Sequence, residues 1–202
     1  MVRNRSLPVL LLLAAALPSL AGCDPVTLAA AGAGTIGTAA MEERGLSGAD
    51  DDPKIRAQIN ERWFQHDTEM FRKVGLTVHE GRVLLTGDVK QPDQRVDAVR
   101  LAWQAEGVRE VINEIQVSDQ SGLMDYAHDV WLANKLRGEL LFDRGVRNVN
   151  YSVDAVNGTI YLMGIAQDVD ERDRVVSHAR DISGVKKVIN YVILKDDPRR
   201  GS

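Results

Sequence analysis

Residues 74–87 read VGLTVHEGRVLLTG, and residues 151–164, 77 positions further along the chain, read YSVDAVNGTIYLMG. In both stretches apolar residues recur at every second position on either side of a Glu-Gly or Asn-Gly step. Alternation with period two around such a dipeptide predicts a β-hairpin with a tight turn. The chain therefore contains two hairpins of the same design.

The repeat extends well beyond the hairpins. Residues 52–117 align without a gap on residues 129–194. The shared positions are mostly glycines and apolar residues, as in the pairs Gly81 and Gly158, Gly87 and Gly164, Gly107 and Gly184, and Val111 and Val188. Repetition on this scale predicts two copies of one structural module. Residue types that carry catalysis do not repeat.

A helix is predicted on each side of every hairpin. Apolar residues at i, i+4 and i+8 come before the hairpins, as Ile55, Ile59 and Trp63 in the first copy and Leu132, Leu136 and Leu140 in the second. This spacing is typical of an amphipathic helix. Asp52 followed by Pro53 predicts that the first helix starts there, because an acidic cap and a proline at the first helical position favour a start.

A second helix, over about residues 92–106 and 169–183, and a last strand complete each copy. The predicted fold class is α+β, with two tandem αββαβ modules that each hold a three-stranded sheet and two helices. A module of this size is small for an independent core. We therefore expect the two modules to contact each other.

The N-terminal residues have the features of a lipoprotein signal. Residues 1–22 join a basic start to an apolar stretch that is too short to span a bilayer comfortably. They end in Leu20-Ala21-Gly22, directly before Cys23, the only cysteine in the chain. We predict a signal peptide over residues 1–22 and a diacylglyceryl group on Cys23. The alternative is that Cys23 is a small buried apolar residue.

The remaining sequence divides into five segments. We expect a lipidated flexible tether at 23–50, a first module at 51–118, a linker at 119–125, a second module at 126–195 and a C-terminal tail at 196–202. Removal of the two arginines in residues 1–22 changes the formal charge from −4 to −6. An acidic body disfavours general nucleic-acid binding.

The repeated motif resembles that of the BON domain. It reads Gly81-x-Val83-x-Leu85-x-Gly87 and then Gly107-Val108-x-x-Val111-x-Asn113, with a second copy 77 residues later. A chain in which two copies of this motif follow a lipobox, the Leu20-Ala21-Gly22-Cys23 motif of the lipoprotein signal, resembles the tandem BON-domain lipoproteins. The resemblance covers about residues 41–195. This resemblance implies binding to anionic phospholipid membranes and a role in envelope integrity and at the division site. Because no catalytic site can be assembled from the residues, we also predict no enzymatic activity.

The resemblance also implies a site on the first helix of the second module. The predicted phospholipid-binding residues are Trp131, Asn134, Lys135 and Arg137. Helix geometry, at about 100° per residue, points Trp131 roughly 140° away from the core stripe. Its counterpart in the first copy is Lys54, so the tryptophan is not part of the repeated core. The alternative is that Trp131 packs between the modules.

The other chemically distinctive residues carry weaker signals. We expect Trp103 to contact the other module, with a partner-binding surface as the alternative. The four histidines lack metal-ligand spacing, so we expect solvated or hydrogen-bonded surface side chains, no metal site and no cofactor. Residues 195–200 are expected to be solvated.

The predicted location is the bacterial envelope, with the lipid anchor facing the periplasm. Asp24 follows the anchor cysteine, which in enteric bacteria favours the inner membrane, whereas the resemblance favours the outer membrane. The alternative function is a non-enzymatic scaffold that binds an envelope protein partner.

Overall fold

The computed structural model describes residues 45–118 and 123–201. These form two sheets, each with helices on one face, which confirms the predicted α+β fold with two modules. The predicted signal peptide, Cys23 and most of the predicted tether lie outside the described residues. In the part of the chain that is described, every helix is too short or too polar to cross a membrane.

The first module contains three helices and four strands. They are α1 (Gly45–His66), α2 (Thr68–Lys73), β1 (Val74–His79), β2 (Arg82–Val89), α3 (Pro92–Ala102), β3 (Glu110–Asn113) and β4 (Gln116–Val117). Strand β2 is central: β1 pairs with it antiparallel, and β3 and β4 both pair with it in parallel. The predicted last strand is thus divided into two short pieces.

The second module follows the same order with one continuous last strand. Its elements are α4 (Leu123–Phe142), a 3₁₀ turn (Asn148–Asn150), β5 (Tyr151–Val156), β6 (Thr159–Ala166), α5 (Val169–Asp181), β7 (Lys187–Leu194) and a final 3₁₀ turn (Pro198–Gly201). The strand order is β5-β6-β7, with β6 in the centre. The αββαβ order is confirmed. Helix α2 is an addition that the sequence pattern did not predict.

The two hairpin turns have the backbone that their dipeptides predict. Glu80 and Gly81 have φ values of 51° and 73°, and Asn157 and Gly158 have values of 52° and 79°. A two-residue turn with positive φ at both positions matches the right-handed twist of the flanking strands. Glycine at the second position takes this conformation without steric cost.

The predicted start of the first helix is wrong. Helix α1 begins at Gly45 and continues through Pro53. Asp52 does not cap this helix; its buried carboxylate accepts hydrogen bonds from the backbone N–H groups of Glu80 (2.9 Å) and Gly81 (3.0 Å). The acid before the proline therefore ties the helix to the hairpin turn.

The second module repeats this tie. The buried carboxylate of Asp129 accepts from the N–H groups of Asn157 at 2.7 Å and Gly158 at 2.8 Å. A carboxylate that accepts two backbone donors satisfies both without needing a cation. The contact is thus a property of the repeated scaffold.

Each module has its core between the helices and one face of its sheet. The predicted helix stripes are buried, as Ile55, Ile59 and Trp63 in the first module and Leu132, Leu136 and Leu140 in the second. The indole N–H of Trp63 donates to the Ala98 carbonyl at 3.1 Å. Trp63 is therefore a core residue, as predicted.

The opposite faces of the two sheets pack against each other. A third apolar cluster joins Leu84 of β2 to residues of the second module: Val156, Tyr161 and Met163. Leu84 and Tyr161 occupy equivalent positions of the repeat. The expected contact between the modules is confirmed, and it leaves the helices as the outer layers.

Polar contacts reinforce this interface. The Tyr191 hydroxyl donates to the carboxylate of Glu114, its own counterpart in the repeat. Contact between equivalent residues is the mark of a two-fold arrangement.

Arg200 donates to both carboxylate oxygens of Glu80, at 2.7 and 3.0 Å. The prediction that residues 195–200 are solvated is therefore wrong for Arg200.

Candidate functional site

The outward face of α4 carries an apolar line. The side chains of Met124, Trp131 and Phe142 are 83%, 48% and 84% exposed. At about 100° per residue, Met124 and Phe142 both point within about 20° of Trp131. The three side chains share one outward direction, so this face of α4 is the candidate contact surface.

The Trp131 ring has a defined neighbour. It stacks on His128 with 5.8 Å between ring centroids and 19° between ring planes. The Cε1 and Nε2 edge of His128 is close to the chain at Gly184, where an added Cβ would lie 2.9 Å from both atoms. The histidine therefore contacts both the indole and the segment that leads into β7.

The other predicted site residues are exposed on the same helix. Lys135 lies about 40° from Trp131 on the helix circumference, and its ammonium pairs with Glu139 at 3.1 Å. Arg137 donates to the Asn134 side-chain oxygen at 2.9 Å. The structure thus brings Asn134 and Arg137 together, while Lys135 borders the apolar line.

Arg137 also has a structural contact. Its guanidinium donates to the carbonyl of Val153 on the edge strand β5. In the first module, Arg56 of α1 donates to the carbonyl of Leu76 at 2.6 Å. Leu76 and Val153 are equivalent residues on the outer strands. An arginine therefore covers the same open edge carbonyl in both modules, which protects an edge that would otherwise pair with other chains.

Charges of both signs surround the C-terminal end of α4. His178 contacts Asp143 at 2.7 Å, and this hydrogen bond is the largest cause of the lowered pKa of the Asp143 carboxyl. Arg144 and Arg147 follow the helix with exposed side chains. Cations are therefore available beside Phe142, together with acidic neighbours.

Trp103 and Trp131, for which the sequence left two alternative roles open, are both about half exposed. The modules meet through the sheet faces opposite the helices, so the outward side of α4 that holds Trp131 is away from the interface. Trp103 is 51% exposed at the end of α3, on the helical side of the first module. Trp103 is not part of the apolar cluster that joins the modules, and its contact with the other module stays a prediction. The exposure of Trp131 disfavours packing between the modules.

A cavity of about 650 Å³ lies between the modules next to the start of α4. Its lining includes three carboxylates, from Asp88, Asp129 and Asp154. Within residues 45–118 and 123–201, no three His, Cys, Asp or Glu side chains are grouped so that they could hold a metal ion.

Comparison with known proteins agrees with the repeat. The BON domain model matches residues 51–119 and again residues 128–196. An uncharacterized protein in the gshII 5′ region of Anaplasma centrale is 42% identical over 151 residues, which cover 74% of this chain and 99% of that protein.

Two characterised proteins are also similar. The outer membrane lipoprotein DolP of Haemophilus influenzae is 34% identical over 117 residues, which cover 58% of this chain and 60% of DolP. The osmotically-inducible protein Y of Escherichia coli is 28% identical over 142 residues, covering 69% and 71%. The chain belongs to the BON domain family and carries two copies of that domain in tandem.

Proposed function

We propose that this chain is a non-enzymatic lipoprotein of the bacterial envelope that binds anionic phospholipid membranes through the outward face of α4. Cys23 is the proposed lipid anchor. The lipobox pattern and the similarity to a protein named as an outer membrane lipoprotein support this location. The proposed role is support of envelope integrity.

One observation carries the proposal, namely the exposed line of Met124, Trp131 and Phe142 along a 20-residue helix. The line is about 27 Å long at 1.5 Å per residue. The core face of α4 is buried in the module, so only these three outward side chains would enter the headgroup boundary, with the helix lying along the membrane plane. Tryptophan is favoured at this depth because its ring is apolar and its N–H stays hydrated.

The polar neighbours provide the preference for anionic lipid. Lys135 lies one turn after Trp131 on the same side of the helix, and its exposed ammonium pairs with Glu139. Asn134 and Arg137 are exposed on the same helix, and Arg144 follows it. Each near-surface cation contributes about 1 kcal/mol with anionic lipid. The body of the chain is acidic, so the attraction depends on this local group.

Vesicle co-sedimentation tests the proposal, with two tryptophans as a matched pair. The fragment 45–202 is mixed with vesicles of phosphatidylcholine, with and without phosphatidylglycerol. Trp131→Glu should weaken binding at least about tenfold, because it removes an interfacial ring and adds a repelling charge. Trp103→Glu, an equally exposed site in the first module, should leave binding unchanged. Equal binding by a folded Trp131→Glu variant would rule out this surface.

The choice of membrane is a separate part of the proposal. We favour the outer membrane over the inner one, although Asp24 points the other way in enteric bacteria. Separation of the two membranes of the native cell, followed by detection of the intact chain, decides between them. Recovery in the inner membrane would contradict this part alone.

A second candidate function is binding to an envelope protein. Val96 and Trp103 are exposed, and they lie seven residues apart on the same side of α3. Their counterparts in the second module are Asp173 and Arg180, so the repeated fold does not need apolar residues there. Capture of one partner by the wild type but not by Trp103→Glu, without vesicles present, would favour this function.

A further inference from the structure

His128 and Trp131 form a ring pair where the first module has an ion pair. The equivalent positions of α1 hold Asp51 and Lys54, whose charged groups lie 3.3 Å apart. Both pairs connect residues three apart on the same face of the first helix. The scaffold is therefore stable with either pair, and the two aromatic rings of α4 are a property of the second module alone.

The position of the imidazole is restricted on two sides. Trp131 covers one face of the ring, with 19° between the planes. At its edge, the Cε1 and Nε2 atoms lie close to the chain at Gly184, where a Cβ would be 2.9 Å from both. The imidazole therefore contacts both the indole and the segment before β7, so the scaffold helps to hold the ring on which Trp131 stacks.

The charges around His128 are few. On α4 they are Asp125, one turn earlier, the buried Asp129, which accepts two backbone N–H groups of the hairpin turn, and Lys135 beyond the indole. Asp181 is the last residue of α5, and Lys186, in the segment that follows, donates to the Asn157 carbonyl.

We propose that His128 positions Trp131 for membrane contact and makes that contact dependent on pH. This inference rests on the proposed function of α4. Histidine is the side chain that changes charge between about pH 5 and 8. In its cationic form His128 is a cation stacked on an indole, which strengthens the ring contact. It also places a further positive charge next to the anionic headgroups.

The test measures binding of fragment 45–202 to vesicles of phosphatidylglycerol in phosphatidylcholine at about pH 5 and pH 8. The wild type should bind about fivefold more tightly at the lower pH, which corresponds to about 1 kcal/mol for one near-surface cation. His128→Phe keeps an aromatic ring but not the titration, so it should bind equally at both pH values. His128→Lys should bind equally and tightly at both.

Two further variants complete the test. His128→Gln removes ring and charge, and it should bind more weakly than His128→Phe at pH 8 if the ring positions Trp131. His66→Gln, in the first module, should keep the pH response of the wild type. The folded state of each variant is checked by its urea unfolding midpoint.

The possible outcomes separate this inference from the proposed function. A wild-type pH response in His128→Phe would overturn the inference, as would Trp131-dependent binding that is equal at both pH values. Absence of vesicle binding by the wild type at both pH values would overturn the proposed function, and this inference with it.

Discussion

The two modules share their scaffold and differ on their outer helix faces. Both tie the first helix to the hairpin turn through a buried aspartate, and both cover one edge carbonyl with an arginine. On the outer faces, the first module exposes Val96 and Trp103 on α3, whereas the second exposes Trp131 on α4. The repeated residues therefore build the fold, and the residues that differ are the ones available for binding.

The largest expected effect comes from the shared aspartates. Asp52→Ala and Asp129→Ala should each lower the free energy of unfolding by about 3–5 kcal/mol, because each leaves two buried N–H groups without an acceptor. The Asn variants keep one acceptor oxygen and should lose about half as much. Urea unfolding measures both. A large loss at one aspartate and none at the other would show that the modules are not built alike.

Arg200 and Glu80 connect the end of the second module to the first. Their side chains are only 18% and 12% exposed. Arg200→Ala should destabilise the fragment by about 2 kcal/mol, as expected when a charged hydrogen-bonded pair is broken. A double-mutant cycle with Glu80→Gln isolates the pair. A coupling energy near zero would contradict the described contact between the modules.

Exchange of the outer pairs tests the functional difference directly. His128→Asp with Trp131→Lys gives the second module the ion pair of the first, and it should weaken vesicle binding about tenfold. When Asp51→His and Lys54→Trp are added in the first module of this variant, only part of the lost vesicle binding should be recovered.

The partial recovery has a sequence reason. The counterpart of Phe142 in the first module is Gln65, so the transplanted indole lacks an apolar neighbour along the helix. Complete recovery would show that the indole is sufficient and that the apolar line has no role. No recovery would show that the remainder of α4 decides the contact.

The edge arginines should have a smaller, equal effect in both modules. Arg56→Ala and Arg137→Ala each remove a donor from one strand carbonyl, and each should cost about 1 kcal/mol of unfolding free energy. If Arg137→Ala weakens vesicle binding at unchanged stability, Arg137 also contacts lipid. A change in stability alone would assign it to the scaffold.

The smallest effect concerns acid stability. Hydrogen bonds from Arg100 and His66 lower the pKa of Asp97, and His178 lowers that of Asp143, both from 3.8. A lowered folded-state pKa gives stability that is complete above the unfolded value and is lost as the pH falls through the folded value. Asp97→Asn and Asp143→Asn should therefore reduce the pH dependence of stability below about pH 4. Urea unfolding at a series of acidic pH values measures this dependence. If the free energy of unfolding of the variants fell with pH as steeply as that of the wild type, the prediction would be contradicted.

The sequence predicted the elements that depend on local pattern. The hairpins, the helix stripes and the order of elements followed from the spacing of residues such as Ile55, Ile59 and Gly158. Partners of Asp52 were missed, because they lie 28 and 29 residues away and an acid before proline is the usual signal of a helix start. The docking of Arg200 was missed for the same reason, since its partner lies 120 residues earlier.

For the candidate site, the sequence placed Trp131 off the core face but did not identify its neighbour. A single histidine on a helix is usually solvated, so His128 carried no signal by itself. The repeat did contain one: Asp51 and Lys54 change together to His128 and Trp131. Pairs that differ between two copies of one module are the positions to examine first.

The most direct test of the central claim is quenching of Trp131 fluorescence by brominated lipid. In a Trp103→Phe background, the remaining indoles are Trp131 and the fully buried Trp63. We predict that vesicles of brominated phosphatidylglycerol quench the exposed indole strongly and that Trp131→Phe abolishes this quenching. Vesicle-bound protein whose Trp131 emission is unaffected by the bromines would contradict the claim that this helix face enters the membrane surface.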